Sequence, residues 1–234
     1  MSVYLAEFLG TAILILLGDG VVANVVLSKT KGNNSGWIVI TFGWALAVAI
    51  PVFIFGPISG ASFNPALTLA LAVIGKFSWN QVPGYIIAQM LGGFVGACLV
   101  YLNYKNHFDA TDDADAKRAV FCTGPAIKDT FQNFVSEFIG TFILVFAILG
   151  FANTKLADGL GGFVVGGIIL VIGISLGGTT GYAINPARDL GPRIAHALLP
   201  IKDKKGSDFW YAWIPVVGPI CGAIVAAVFF KTIF

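Results

Sequence analysis

The sequence predicts an all-α membrane protein of six transmembrane helices and two re-entrant half-helices, arranged as an inverted repeat. Composition is the first reason. Of the 234 residues, 57% are hydrophobic and only 11% charged, against roughly 25% charged in a soluble domain, and the mean hydropathy is +0.86. A chain so short of polar surface cannot clothe a water-facing exterior. The second reason is segment length, since six apolar stretches are close to the ~20 residues that a bilayer crossing needs. The third is duplication. "AEFLGTAILILLG" near the start returns as "SEFIGTFILVFAILG", and "GASFNPALT" returns as "GYAINPARD".

The six spans are expected at residues 3–27, 36–55, 81–104, 131–151, 160–176 and 209–230. The first has no positive leader and no small-residue cleavage site after it, so it is expected to stay as a membrane helix. The fifth is short and glycine-rich, as tilted or tightly packed spans often are. Two further apolar pieces, 64–74 and 185–199, would cover only ~15–20 Å each at 1.5 Å per residue, against a hydrocarbon core of ~30 Å. Each is expected to reach halfway. The longest hydrophilic stretch, 105–128, separates the copies, giving one membrane domain over 1–234 with repeat one at about 1–104, a connecting loop at about 105–130 and repeat two at about 131–234. Three spans per copy is an odd number, so the second copy enters from the opposite side. Parity thus brings the two half-helices in from opposite faces.

The doubled Asn-Pro-Ala carries the chemistry. Asparagine is a strong N-cap, and proline suits the first helical turn because its missing N–H had no partner there. Asn64-Pro65 and Asn185-Pro186 therefore each read as a helix start, and Ala66 and Ala187 are small enough for the starts to touch. Each N-terminus carries about +0.5 elementary charge and free N–H groups. Two such ends at the midplane would repel a cation or a hopping proton, while a neutral molecule could accept from the asparagine amides. The residues before the caps, Gly60, Ala61 and Ser62 in one copy and Thr180, Gly181, Tyr182 and Ala183 in the other, would be non-helical backbone at membrane depth. Such backbone is tolerated only inside protein or along a wet cavity. A lone Asn-Pro-Ala is usually an ordinary turn; two copies inside an inverted repeat are not.

With both boxes and both Glu-Phe-x-Gly-Thr openings in place, the chain resembles the major intrinsic protein family, the aquaporins and glycerol facilitators, over nearly its whole length. The resemblance implies an aquaporin-like fold, a homotetramer with one pore per subunit, and both termini in the cytoplasm. It also implies a constriction formed by four positions. Arg188 directly follows the second box, Trp44 precedes Asn64 by 20 residues, and Gly173 and Tyr182 precede Asn185 by 12 and 3. An arginine at membrane depth is a functional candidate by default. Water-selective relatives carry histidine at the Gly173 position, whereas glycerol-conducting ones pair glycine with tryptophan and a second aromatic, as here; Asp189 is also typical of that branch. Gly173 would leave room for a molecule wider than water, Trp44 and Tyr182 would face its carbon edge, and Arg188 would donate to its hydroxyls. Tyr182 in place of the commoner phenylalanine, and Ser62 where many relatives have histidine, put the solute range in question. The expected function is passive diffusion of small uncharged solutes, glycerol and similar polyols with water, excluding protons and ions. Protonated lactic acid is a candidate further solute, because a related branch in lactic-acid-producing bacteria passes small hydroxy acids.

Other residues carry competing readings. Glu7 and Glu137, equivalent in the two copies, could couple protons in an active transporter; their symmetry favours a scaffold role, accepting N–H bonds from the re-entrant segments. Asp19, toward the far end of the first span, is expected to face water, and His107 to be solvated. His107 and His196 lack partners at metal-ligand spacing. Cys98, Cys122 and Cys221 form neither a disulfide framework nor a metal motif, and no cofactor site, phosphate loop or nucleophile motif is evident. The glycines of 159–167 read as helix-packing positions. No enzyme is expected, nor a nucleic-acid partner at a net charge of +2; lipid surrounds the chain. One feature runs against the implied topology. Lys76, Lys155 and Lys231 would face inward, while Lys29, Lys31, Lys105, Lys117, Arg118, Lys128, Lys202, Lys204 and Lys205 would face outward, inverting the positive-inside tendency.

Overall fold

The computed structural model describes residues 1–157 and 159–234. Among these residues there are nine α-helices and no strand: α1 (Val3–Val26), α2 (Trp37–Ser59), α3 (Pro65–Val73), α4 (Val82–Asp109), α5 (Ala114–Ala119), α6 (Thr130–Ala152), α7 (Gly161–Leu176), α8 (Pro186–Leu198) and α9 (Ile214–Ile233). Helices α1, α2, α4, α6 and α9 are long and apolar enough to cross a membrane. The fifth span, α7, is shorter, with 16 residues, ~24 Å of rise. Apolar side chains on their outer surfaces, such as Phe42, Ile54, Leu91, Leu102 and Val171, stand exposed, as lipid-facing residues do. Helices α3 and α8, of 9 and 13 residues, are the half-helices.

Where the boundaries differ from expectation, the reasons are local. Helix α4 runs on to Asp109, past the apolar stretch, because a helix need not stop where the membrane does; a Lys105–Asp109 ion pair of 2.6 Å supports its last turn. The connecting segment also holds the short helix α5, capped by Asp113, whose carboxylate accepts from Asp115 and Ala116 N–H. Helix α2 continues through Pro57 and ends on Gly60 at φ 81, the left-handed cap glycine favours. The last span starts five residues later than its apolar run, since Asp208 to Trp213 is a turn and Pro215 sits in the first helical turn.

Packing follows the repeat. Helix α1 packs on α4 just as α6 packs on α9, α1 packs on α2 more closely than α6 does on α7, α2 meets α7 across the pseudo-symmetry, and each half-helix leans on a helix of the other copy, α3 on α9 and α8 on α4. Glycines permit the closest crossings. A Cβ on Gly92 would lie 2.4 Å from the Phe8 carbonyl oxygen, and one on Gly222 would lie 2.2 Å from that of Phe138, its equivalent in the second copy. In α7, Gly162 and Gly166 meet the α2 carbonyls of Ala49 and Ala45 in the same way. Gly222→Ala should therefore force α6 and α9 apart and cost about 1–3 kcal/mol, read as a lower thermal midpoint of the purified protein; an unchanged midpoint would mean that this crossing is slack.

Candidate functional site

Both re-entrant segments are built on one unusual backbone pattern. Ala61 and Phe63 (φ 51 and 46) in the first, and Tyr182 and Ile184 (φ 38 and 44) in the second, occupy the left-handed region at equivalent places 121 residues apart. Such conformations cost of order 1–3 kcal/mol each in non-glycine residues and persist only when the surroundings enforce them. The chain's two glutamates do so. Glu7 accepts from Ser59 Oγ and Ser62 N on one oxygen (2.7 and 3.0 Å), and from Phe63 N and Gln89 Nε2 on the other (both 2.8 Å). Glu137 accepts from Thr180 Oγ1 and Ala183 N (2.7 and 3.0 Å), and from Ile184 N at 2.8 Å. Both side chains are fully buried. Every partner is a donor, so an acceptor-only carboxylate is the group the site requires.

The half-helix tips meet. Asn64 Oδ1 accepts from Ala66 N, and Asn185 Oδ1 from Ala187 N and Arg188 N. The amide of each asparagine crosses to the opposite copy: Asn64 Nδ2 donates to Ile184 O and Asn185 Nδ2 to Phe63 O, both at 2.8 Å. These two bonds orient the amides, each of which keeps a second hydrogen. Pro65, Ala66, Pro186 and Ala187 are buried behind the tips. A cavity of about 310 Å³ runs beside them, reaching from Lys76 and Phe77 past Asn64 and Asn185 to Trp44, Tyr182 and Arg188. Gly60, Ala61, Ser62 and Ala183 line its course, as do apolar side chains such as Leu14, Val48, Leu144 and Ile169. The lining thus combines re-entrant backbone and asparagine with aliphatic side chains.

At the Arg188 end three side chains border the cavity, those of Trp44, Tyr182 and Arg188. The Arg188 guanidinium stacks over the Trp44 ring, with its central carbon 4.0 Å from the centroid. Tyr182 is packed edge-on against Trp37, centroids 5.8 Å apart, and Trp37 Nε1 donates to Gly173 O at 3.0 Å. Gly173 itself does not border the cavity. A Cβ there would lie 2.8 Å from Tyr182 Cζ and 2.9 Å from Thr41 Cγ2, and one on Gly177 would lie 2.4 Å from Tyr182 Cδ1. Gly173 on α7 and Gly177 at its C-cap, one turn apart, form the groove in which the phenol ring lies. The space left by the missing side chain is filled by Tyr182. Thr180 and Gly181 also lie outside the cavity lining, Thr180 holding the Glu137 anchor.

Two buried ion pairs at this end were not anticipated from the sequence. Asp19 is fully buried, contrary to the expectation that it faces water, and its Oδ1 lies 3.5 Å from Arg188 Nη1. Arg193, also fully buried, grips Asp189 with two bonds of 2.7 and 2.8 Å and donates to the carbonyls of Thr123, Ser207 and Asp208. Thr123 in turn donates to Asp189 through its N–H and its hydroxyl. The carboxylate beside Arg188 in sequence is thereby spoken for, and the loop before α6 is tied to α8. The i,i+4 spacing of Asp189 and Arg193 is the signal that could have disclosed this pair; nothing local discloses Asp19. His107 is half-buried, with Nδ1 3.1 Å from Ser28 O.

Four of the basic residues at this end have structural partners. Arg118 pairs with Asp115 and Asp208, Lys205 with Asp115, and Lys117 donates to Lys202 O. Lys204 donates to the carbonyls of His196, Ala197 and Leu199 at the end of α8, where a cation opposes the negative end of the helix. Burial pushes the Lys204 ammonium down, and the hydrogen bond from Lys205 holds the Asp115 carboxyl low. Among the described residues, no three His, Cys, Asp or Glu side chains gather as a metal site.

Residues 1–230 match the family model described as major intrinsic protein. A probable glycerol uptake facilitator protein of Thermotoga maritima is 61% identical over 234 residues, covering all of both chains. The glycerol uptake facilitator protein of Bacillus subtilis is 54% identical over the whole of this chain and 85% of its own length. Among solved structures, the X-ray structure of the aquaglyceroporin from Plasmodium falciparum superposes with a TM-score of 0.87 at 35% identity, over 98% of this chain and 95% of that one.

Proposed function

Because the chain belongs to the major intrinsic protein family and is a multi-pass membrane channel rather than an enzyme, we propose that it passes glycerol and similar small polyols down their gradients, with water as a second permeant. One observation carries this reading: the end of the cavity pairs an aromatic corner, Trp44 and Tyr182, with the Arg188 guanidinium. A polyol has a carbon edge and a hydroxyl edge, and this slot offers apolar contact to one and N–H donors to the other. Gly173 acts at one remove, by giving Tyr182 its groove. The names of the two facilitator relatives support glycerol as the solute. The opposed positive tips at Asn64 and Asn185 would keep protons and cations out, and their committed amides would orient a single file of neutral molecules. Protonated lactic acid, with hydroxyls and one methyl, suits the same slot. A homotetramer with both termini in the cytoplasm completes the reading. On that topology Lys105, Arg118 and Lys205 of the outer side bind carboxylates, and Lys204 binds carbonyls at the end of α8.

Stopped-flow light scattering on reconstituted vesicles, solute by solute across a pH series, tests this. Glycerol should enter with no ion gradient, and lactic acid faster as the pH falls. Solute accumulation that needs a proton or sodium gradient would instead establish a secondary active transporter. Gly173→His should cut glycerol flux about tenfold, equivalent to ~1.4 kcal/mol of added barrier, and leave water flux much less affected, because an imidazole can enter only by driving the Tyr182 ring into the path. Equal losses for both solutes would show that the ring is not what gates size.

A further inference from the structure

The surroundings of Asp19 single it out. It is fully buried on α1, its Oδ1 reaches Arg188 Nη1 at 3.5 Å, and its Oδ2 is buried with no hydrogen-bond partner. Its neighbour Gly18 leaves room for the ring on which Arg188 stacks, since a Cβ there would lie 2.2 Å from Trp44 Cζ3. Gly18 and Asp19 thus stand behind Trp44 and Arg188, one against the ring and the other against the guanidinium. The inverted repeat supplies a control. In register with Glu7 and Glu137, Asp19 corresponds to Leu149; in register with Asn64 and Asn185, Arg188 corresponds to Leu67. Leu67 and Leu149 lie in one buried apolar cluster. The pseudo-symmetry is broken at both members of this pair at once. Where the other half of the molecule sets two leucines in an apolar cluster, this half sets a carboxylate behind a guanidinium.

We propose that Asp19 is a specificity-determining positioning residue: it holds the Arg188 guanidinium back against α1 and the Trp44 ring, and offsets the charge that a permeating solute meets. Asp19 does not itself border the cavity; it acts through Arg188. A lone buried guanidinium would turn toward the water of the cavity, narrowing a slot that must admit three carbons. With its counter-ion behind it, the guanidinium keeps its remaining N–H groups for solute hydroxyls and the path keeps its width. The second buried arginine, Arg193, is already matched by Asp189, so Asp19 completes neutrality at this end, and the barrier to cations falls chiefly on the two helix tips.

The proposal rests on the polyol-channel reading, and the two fail differently. If wild-type vesicles pass no glycerol, the channel reading falls. If they do, Asp19→Asn, which keeps size but removes charge, should lower the glycerol-to-water permeability ratio about five- to tenfold, whereas Asp19→Glu should hold the ratio within about twofold of wild type. In an Arg188→Val background, Asp19→Asn should leave the ratio where Arg188→Val put it, because the residue acts through the arginine. An unchanged ratio in the single variant, or a further fall in the double, overturns the proposal. Thermal midpoints keep the test open if a variant folds poorly. Asp19→Asn should lower the midpoint of the wild type and raise that of Arg188→Val, where it removes a stranded carboxylate; the same sign in both backgrounds also overturns it.

Discussion

Arg188→Val is expected to yield a channel that discriminates poorly between polyols and water and begins to conduct cations. Valine removes the N–H donors from the slot and opens space beside the Trp44 face, so glycerol loses its hydroxyl-edge partner while water gains a wider path. The glycerol-to-water ratio should fall by about tenfold or more, since one charged hydrogen-bonding partner is worth ~1.5–3 kcal/mol. The charge effect is larger than the loss of one positive group suggests. Asp19 stays behind as a buried carboxylate with neither oxygen paired, so the constriction changes from near-neutral to negative. Cation conductance across planar bilayers should therefore appear in Arg188→Val and subside again when Asp19→Asn is added. Breaking one side of a buried pair also costs about 3–5 kcal/mol of stability, so the single variant should show a lowered thermal midpoint. A variant that keeps the wild-type ratio and stays silent to cations would mean that the narrowest point lies elsewhere.

Glu137→Leu should be the most damaging single change in the protein. The carboxylate satisfies Thr180 Oγ1 and the N–H groups of Ala183 and Ile184 in a fully buried site, and it holds the two left-handed residues Tyr182 and Ile184 in place. Leucine of similar bulk strands all three donors at membrane depth, where each costs about 1–3 kcal/mol. The sum rivals the 5–15 kcal/mol that a whole domain has in hand, so little folded protein should be recovered. Glu137→Gln is the graded control. One amide oxygen still accepts, and the Thr180 hydroxyl can turn to accept from the new amide, but one backbone N–H faces an NH₂ group in either orientation. A loss of about 1–3 kcal/mol is expected, with a folded channel of lower midpoint. Glu7 should give the same series, because Ser59, Ser62 and Phe63 repeat the arrangement around it. Wild-type yield and midpoint in Glu137→Leu would show that the re-entrant segment is held by packing alone.

Much of this architecture was legible in the residues. The half-helices begin at Asn64-Pro65 and Asn185-Pro186, as their capping chemistry requires, and the extents expected for them agree with α3 and α8 plus their caps. The span ends were less legible. Apolarity reports where lipid is, whereas a helix stops where its hydrogen bonds stop, so α4 outran its apolar stretch and α9 fell short of its own. Within the site, Trp44, Tyr182 and Arg188 come together at one end of the cavity, whereas Gly173 stands behind Tyr182.

By itself the sequence determined the inventory and its symmetry: which segments cross, which reach halfway, and that an odd number of spans per copy turns the two copies against each other. These are properties of length, parity and local capping, all written within a few turns of chain. Only the tertiary structure decided which side chains meet. Asp19 and Arg188 stand 169 positions apart, and Tyr182 finds its groove between a glycine of a neighbouring helix and the glycine that caps it. Helices that are apolar on every side carry no polar stripe to reveal their rotation, so the pairing of a buried acid with its base emerges only once the helices are packed.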